Sequence, residues 1–185
     1  MVSSVHKSTN PRFLLTGALL LLTATSFDVI AQESSDSPDL FSAKETSLDL
    51  FGSASAGQQT VDHLSGLKIN RDLRLGAGAG LNYFMTRNFG FGADAYSENI
   101  GHSFIDSTSI NLIGRLPLGT SGFAPYAYGG VGHQFDPNGV WFGQAGAGIE
   151  YRFTRKFGTF VDARYVFTDG TSNYGLARIG IRCTF

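Results

Sequence analysis

Leu73-Arg74-Leu75-Gly76-Ala77-Gly78-Ala79-Gly80-Leu81-Asn82-Tyr83 alternates without a break: one parity reads Leu, Leu, Ala, Ala, Leu, Tyr, and the other reads Arg, Gly, Gly, Gly, Asn. A period of two over this length is the signature of an extended strand whose two faces meet different surroundings. Glycine at this density also argues against a helix, whose interior it destabilises. The same alternation recurs along the chain, over about 46–57, 72–86, 89–98, 104–118, 123–135, 140–154, 157–168 and 174–185. The links carrying Arg87-Asn88, Thr120-Ser121-Gly122 and Arg155-Lys156 are short and read as hairpin turns. The links between them are more polar and variable, the longest running from Gln58 to Arg71, where a short helix over Val61 to Ile69 is one reading. Tight and longer links in alternation put all the tight turns at one end of an up-and-down sheet.

An internal repeat supports that register. Residues 76–95 and 144–163 are identical at eleven of twenty positions, including Tyr83/Tyr151, Thr86/Thr154, Arg87/Arg155, Phe89/Phe157 and Asp94/Asp162. Two hairpins four strands apart that share a sequence are expected to cross the same layers of one closed sheet.

Composition bounds the rest. The chain has 185 residues, 42% hydrophobic and 16% charged, with 24 glycines and 16 phenylalanines, which excludes a disordered chain. A formal net charge of -1 removes the electrostatic argument for nucleic acid as a partner, and a single cysteine excludes an internal disulfide framework and a cysteine metal cluster. Lys7 and Arg12 precede the apolar stretch Phe13 to Phe27, followed by Val29-Ile30-Ala31. This is the pattern of a cleaved secretory signal over residues 1–31, with the mature chain starting at Gln32. The Ser-, Asp- and Pro-containing stretch 32–45 reads as a flexible lead-in, and 46–185 as the folded domain.

Sorting the strands by parity gives an apolar set that includes Leu50, Leu81, Ile110, Leu112, Ile149, Val161, Ile179 and Ile181. The opposite set holds Asp49, Arg74, Asp94, Arg115, Glu150, Arg152, Asp162, Arg164, Arg178 and Arg182, interleaved with glycine. A soluble periplasmic barrel carrying a lipid wants the apolar set inside, a membrane barrel wants it outside, and parity alone leaves both open. Three features favour the membrane. Aromatics gather at two levels, Tyr83, Phe84, Phe89, Phe91, Tyr151, Phe153 and Phe157 near the tight turns, and Phe104, Phe135, Trp141, Tyr165 and Phe167 near the longer loops. The charged set mixes Arg with Asp and Glu, as suits a narrow interior where they pair. Finally, Ala177, Ile179, Ile181, Cys183 and Phe185 alternate to the last residue.

In that last strand, ending on an aromatic, the chain resembles the small bacterial outer-membrane β-barrels of the OmpA/OmpX type over nearly its full mature length. The resemblance implies an all-β fold, an eight-stranded antiparallel up-and-down transmembrane β-barrel in the bacterial outer membrane, with both termini periplasmic. It also implies contact with outer-membrane lipid and with the barrel assembly machinery, which would read Phe185 as its signal. Cys183 departs from the pattern, standing where a bulkier apolar or aromatic residue is usual. No peptidoglycan-binding domain follows the barrel, so no wall-anchoring role is implied.

No catalytic, cofactor or metal site emerges. His63, His102 with Ser103 and Asp106, and His133 are spaced neither as a triad nor as a ligand pair. Gly76 to Gly80 lies within a strand with no helix after it, so it is no nucleotide loop. Eight strands enclose a lumen that side chains can fill. The ten lumen-facing residues therefore read as a salt-bridged plug in a monomeric protein with a structural or surface-interaction role and short extracellular loops. A small gated solute pore is the alternative, and the extracellular partner is left open.

Overall fold

The computed structural model describes residues 40–57, 73–98, 105–136, 139–168 and 173–185, and the backbone alone of 60–61 and 68–69. Eight strands form a closed antiparallel barrel: β1 (Glu45–Gly57), β2 (Arg74–Phe84), β3 (Phe89–Ser97), β4 (Ser107–Arg115), β5 (Phe123–Gln134), β6 (Val140–Arg152), β7 (Phe157–Thr168) and β8 (Tyr174–Thr184). Each strand pairs with its neighbours in sequence, and β1 closes the sheet against β8. Between β1 and β2 the described backbone forms a two-residue ladder, Thr60–Val61 on Lys68–Ile69, strand at both ends of the segment considered for a helix. Residues 62–67, His63 among them, lie outside the described residues, as do 1–39, Phe104, His102 and Ser103.

The registers fix the barrel's dimensions. Tracing paired residues from Leu75 through Ala54, Ala177, Ala163, Ala147, Ala127 and Gly114 to Phe89, then extending the β3–β2 register by one residue, returns to β2 at Met85. That is a shear of ten residues over eight strands, which with standard strand spacings gives a tilt of about 41° and a backbone radius of about 8 Å. Phe157 and Phe167 of β7 face outward ten residues apart. At that tilt they are separated along the barrel axis by about 25 Å, the height of the apolar band of a membrane barrel.

The two faces sort unambiguously. Leu81, Ile110, Leu112, Val161, Ile179 and Ile181 are each more than half exposed on the outside. Apart from Arg74 at the loop end of β2, the Asp, Glu and Arg side chains of the strands are buried inside. An exposed apolar wall around a buried charged interior inverts the arrangement of a soluble lipid carrier, and so excludes it; the wall is that of a transmembrane barrel. Exposed aromatics mark both edges of the band, Phe89, Phe123, Phe153 and Phe157 near the tight turns, Phe135, Trp141 and Phe167 near the loops.

The tight turns of the repeat are built alike. Thr86 Oγ1 accepts from the backbone N–H of Asn88 and Phe89, at 3.2 and 2.9 Å, and Thr154 Oγ1 from Lys156 and Phe157, at 3.2 and 3.1 Å. A threonine hydroxyl satisfying two orphan donors is what fixes Thr-Arg-x-Phe at both turns. The third tight turn instead uses Gly119 and Gly122 at φ +56° and +78°, a conformation that glycine adopts without strain.

Candidate functional site

The site is the lumen, and it is stacked in three tiers. At the tight-turn end β1 starts on Glu45, whose carboxylate accepts from Arg115 Nη1 at 3.0 Å and Arg152 Nη1 at 2.7 Å and is also paired with Arg152 Nη2. Arg152 Nε donates to Glu150 at 2.6 Å, and Arg182 Nη1 reaches the other Glu150 oxygen at 2.5 Å. Arg182 then grips both Asp49 oxygens, each at 2.7 Å, in the two-pronged geometry that guanidinium favours. Asn82 Nδ2 fills further acceptor capacity on Asp49 at 2.9 Å. Phe84 lies under the Arg115 guanidinium, 3.6 Å from ring centroid to Cζ.

The middle tier hangs on Arg178. Its Nε and Nη2 hold the two oxygens of Asp162 at 2.9 and 2.8 Å, and its Nη1 lies 3.1 Å from Asp94. Tyr126 and Tyr128 donate to Asp162 at 2.7 and 3.0 Å. Arg164 Nη1 pairs with Asp94 at 3.2 Å and donates to Gln144 at 2.9 Å, while Gln144 Nε2 bonds Asn111 at 2.6 Å. Above it the filling changes character: Tyr96, Phe142, Val166 and Leu176 are buried and pack the lumen toward the loop end. Tyr174 donates to the Glu98 carboxylate there, and the Glu98 backbone N–H donates to Asp106 Oδ2 at 2.6 Å. Just beyond the strand ends, burial raises the carboxyl pKa of both acids, reinforced at Glu98 by the charge of Asp106 and at Asp106 by that of Asp136.

The two ion-paired tiers hold five arginines, at 115, 152, 164, 178 and 182, against five carboxylates, at 45, 49, 94, 150 and 162. Neutrality is the condition under which so many buried charges are tolerated in an interior filled by side chains. Of the ten residues assigned to the lumen by parity, nine are buried inside in these tiers. Arg74, on the same parity, is exposed at the first residue of β2, at the loop end.

Sequence reasoning missed several members, among them Glu45 and Phe41 at the tight-turn mouth. Glu45, the last residue of the stretch 32–45 whose polar composition reads as lead-in, is the first residue of β1. Continuing the parity of Asp49 back through Ser47 would have placed it inside. Phe41 was assigned to the same flexible stretch. Its ring is 1% exposed and lies 4.9 Å from Arg115 and 4.6 Å from Arg152, while Arg152 Nη1 donates to the Leu40 carbonyl at 2.7 Å. The lead-in therefore ends by closing the tight-turn mouth, and no strand pattern carries that information. Of the rim histidines considered for chemistry, the described one, His133, stacks on Phe135 and Trp141 at 4.8 and 5.0 Å, a place in the aromatic layer. Asp106 is engaged with Glu98. Cys183 is half-buried on the outer face of β8, and Phe185, 73% exposed, pairs its backbone with Thr46.

A closed apolar-walled barrel with a neutral ion-paired lumen defines a transmembrane β-barrel of the small, filled kind. No family model matches the sequence, and no curated protein does. Solved structures do match in fold. The N-terminal β-barrel domain of OprF from Pseudomonas aeruginosa aligns with a TM-score of 0.58 at 17% identity, over 78% of this chain and 99% of that one. Neisserial surface protein A aligns at 0.56 and 11%, over 76% and 97%. Ail, the attachment invasion locus protein of Yersinia pestis, aligns at 0.52 and 15%, over 77% and 99%. At these identities the likeness is one of fold: the chain has the fold of the bacterial outer-membrane eight-stranded barrels.

Proposed function

We propose that this protein is a resident of the bacterial outer membrane that acts as a structural and surface-presenting barrel, non-enzymatic and closed to solutes, with its tight turns and termini in the periplasm. The observation that carries the reading is the filled lumen: three tiers of side chains, two of them neutral ion-pair clusters, with Phe41 across one mouth. A solute would have to break several buried ion pairs at once, each costing about 3–5 kcal/mol to open by losing one partner.

The loop-end segments are close to charge balance: over residues 58–74, 98–106, 135–139 and 169–173 the sequence places Asp62, Asp72, Asp136 and Asp169 against Lys68, Arg71 and Arg74, while Glu98 and Asp106 are buried. Ail has been crystallised with the heparin analogue sucrose octasulfate. A rim so nearly balanced in charge gives a sulfated ligand no electrostatic preference here, and the extracellular partner is left open. Phe185, at the end of the closing strand, is the residue we expect the barrel assembly machinery to read.

The test is conductance of the purified barrel in a planar bilayer, beside the double variant Arg178→Met, Arg182→Met. The wild type should give no steady channel, and the variant should unfold more readily. Raised conductance in the variant at unchanged thermal stability would show that the arginines gate a pore, and the closed reading would fail.

A further inference from the structure

The tight-turn rim carries a pocket that the lumen does not use. A cavity of about 410 Å³ opens between the segment leading into β1, the β6–β7 turn and the end of β8. Lys44, Arg155 and Lys156 line it, together with Ser42, Glu45 and Thr184. Among the described residues, the three cations are paired with no side-chain carboxylate, and Glu45 is already held by Arg115 and Arg152. Leu40 and Phe185, with its terminal carboxylate, complete the lining, so the pocket brings three positive charges beside that one carboxylate and the engaged Glu45.

A second observation is independent of charge. Thr184 is 8% exposed, and its Oγ1 is buried without a hydrogen-bond partner, although its backbone N–H is tied to the Lys156 carbonyl at 2.7 Å. A buried hydroxyl left idle costs about 1–3 kcal/mol unless something satisfies it. Thr184 is also one of the residues lining the cationic pocket, directly beneath which this hydroxyl is buried. Lys44 is also held at φ +58°, a conformation uncommon for a non-glycine residue. The exposed rings of Phe153 and Phe157, flanking the same turn, set the level of this rim at the bilayer interface.

We propose that this pocket binds one anionic phospholipid by its phosphodiester headgroup, Lys44, Arg155 and Lys156 taking the phosphate charge and Thr184 Oγ1 bonding the headgroup. The proposal rests on the bilayer-spanning reading above. Lysine and arginine are the groups that hold phosphate, Arg by its fork and Lys as a point charge. A zwitterionic headgroup brings its own cation into the pocket and forfeits the advantage.

The probe is a vesicle of mixed phosphatidylglycerol and phosphatidylcholine, from which the reconstituted barrel is extracted and its retained lipid identified by native mass spectrometry. Wild-type protein should retain phosphatidylglycerol over phosphatidylcholine by about tenfold, as expected for a few basic groups acting at a bilayer surface. The preference should collapse in Lys44→Gln, Arg155→Gln, Lys156→Gln and fall several-fold in Thr184→Val, which removes the hydroxyl and keeps the shape. Arg87→Gln, at the equivalent turn of the repeat, should leave it intact. Equal retention of both lipids by the wild type, or a loss in Arg87→Gln as large as in the triple variant, would overturn the site in favour of diffuse charge. Displacement of the retained lipid by a wash in inorganic phosphate would overturn the lipid assignment, and resistance to that wash would support it. A heat-dependent gel shift on the same samples separates the two failures: protein that never folds into vesicles refutes the barrel, whereas a folded barrel without lipid preference refutes only the pocket.

Discussion

Arg178→Met is the substitution with the largest consequence for the lumen. Arg178 is 7% exposed, holds both oxygens of Asp162 and bridges to Asp94, so its loss strands two carboxylates in the middle tier. Removing one partner of a buried pair costs about 3–5 kcal/mol. The low end applies here, because Asp162 keeps the Tyr126 and Tyr128 hydroxyls and Asp94 keeps Arg164. A loss of about 3 kcal/mol shifts the folded-to-unfolded ratio by roughly 150-fold. Reversible urea unfolding in lipid vesicles reads it directly through Trp141, the chain's single tryptophan, which sits 69% exposed on the barrel wall where bilayer and water are sharply distinguished. Adding Asp162→Asn to Arg178→Met should recover part of the loss, a coupling of about 1–3 kcal/mol, since the second change removes a charge that the first left alone. A single-variant loss under about 1 kcal/mol, or strictly additive losses, would refute the claim that this bridge ties the middle tier.

Three further outcomes are expected. Ile179→Arg, at the middle of β8 on the outer wall, should cost about 2–4 kcal/mol in vesicles; a change within about 0.5 kcal/mol would contradict burial of that wall in lipid. Glu98→Gln should stabilise the barrel above pH 5 and flatten its pH profile. An acid whose folded pKa is raised binds more protons folded than unfolded, so its contribution to stability is lost as pH rises from the unfolded value of 4.5 through the folded one, and parallel urea titrations of wild type and variant would show it. Gly148→Ala should lower the unfolding midpoint measurably, by a cost on the order of 1–3 kcal/mol. Its methyl would lie 2.5 Å from the Val161 carbonyl oxygen and 2.9 Å from Asp162 Cα, backbone atoms that cannot step aside, and an unchanged midpoint would argue against that packing.

Strand number, order and the sense of the sheet were legible because period two is a direct consequence of the pleat, and the strands follow it except at a few ends such as Arg74 and Ser97. Which face turns inward was legible only from composition: Arg with Asp and Glu on one parity is intelligible in a dry lumen and not in water. What parity could not supply is partnership. Arg182 is paired with Asp49 on the adjacent strand β1 and also with Glu150, two strands away on β6, and no spacing in the sequence encodes that second reach. Apolar residues inside the barrel were equally hidden. Phe51 sits inward against Arg178, 4.8 Å from ring centroid to guanidinium, and Phe142 and Leu176 are buried toward the loop end, where a reading based on polarity alone expects only charge. Phe41 and Glu45 escaped because both belong to a stretch whose Ser and Asp content signals flexibility while two side chains do the closing.

The internal repeat explains how such a lumen is specified. Asp94 and Asp162 are equivalent positions of the two copies, and Arg178 bridges them. Gly80 and Gly148, equivalent again, stand opposite them in register, and neither position leaves room for a methyl beside its aspartate. Each copy thus brings the same device, an inward aspartate lodged against a glycine on the neighbouring strand. The copies then diverge two residues on, where Tyr96 in the first corresponds to Arg164 in the second, and the Arg164 guanidinium lies over the Tyr96 ring at 4.5 Å. Likewise Phe84 and Arg152 are equivalent, as are Asn82 and Glu150. At each of these three pairs one copy carries a neutral residue where the other carries a charge. Had the copies stayed identical, a doubled Arg or Glu would have met its own kind across a lumen of about 8 Å backbone radius, a repulsion that a dry interior amplifies. Divergence at the inward positions, with identity kept at Thr-Arg-x-Phe-Gly of the turns and at Gly78/Gly146 and Gly80/Gly148, is how a duplicated pattern closes on itself with zero net charge.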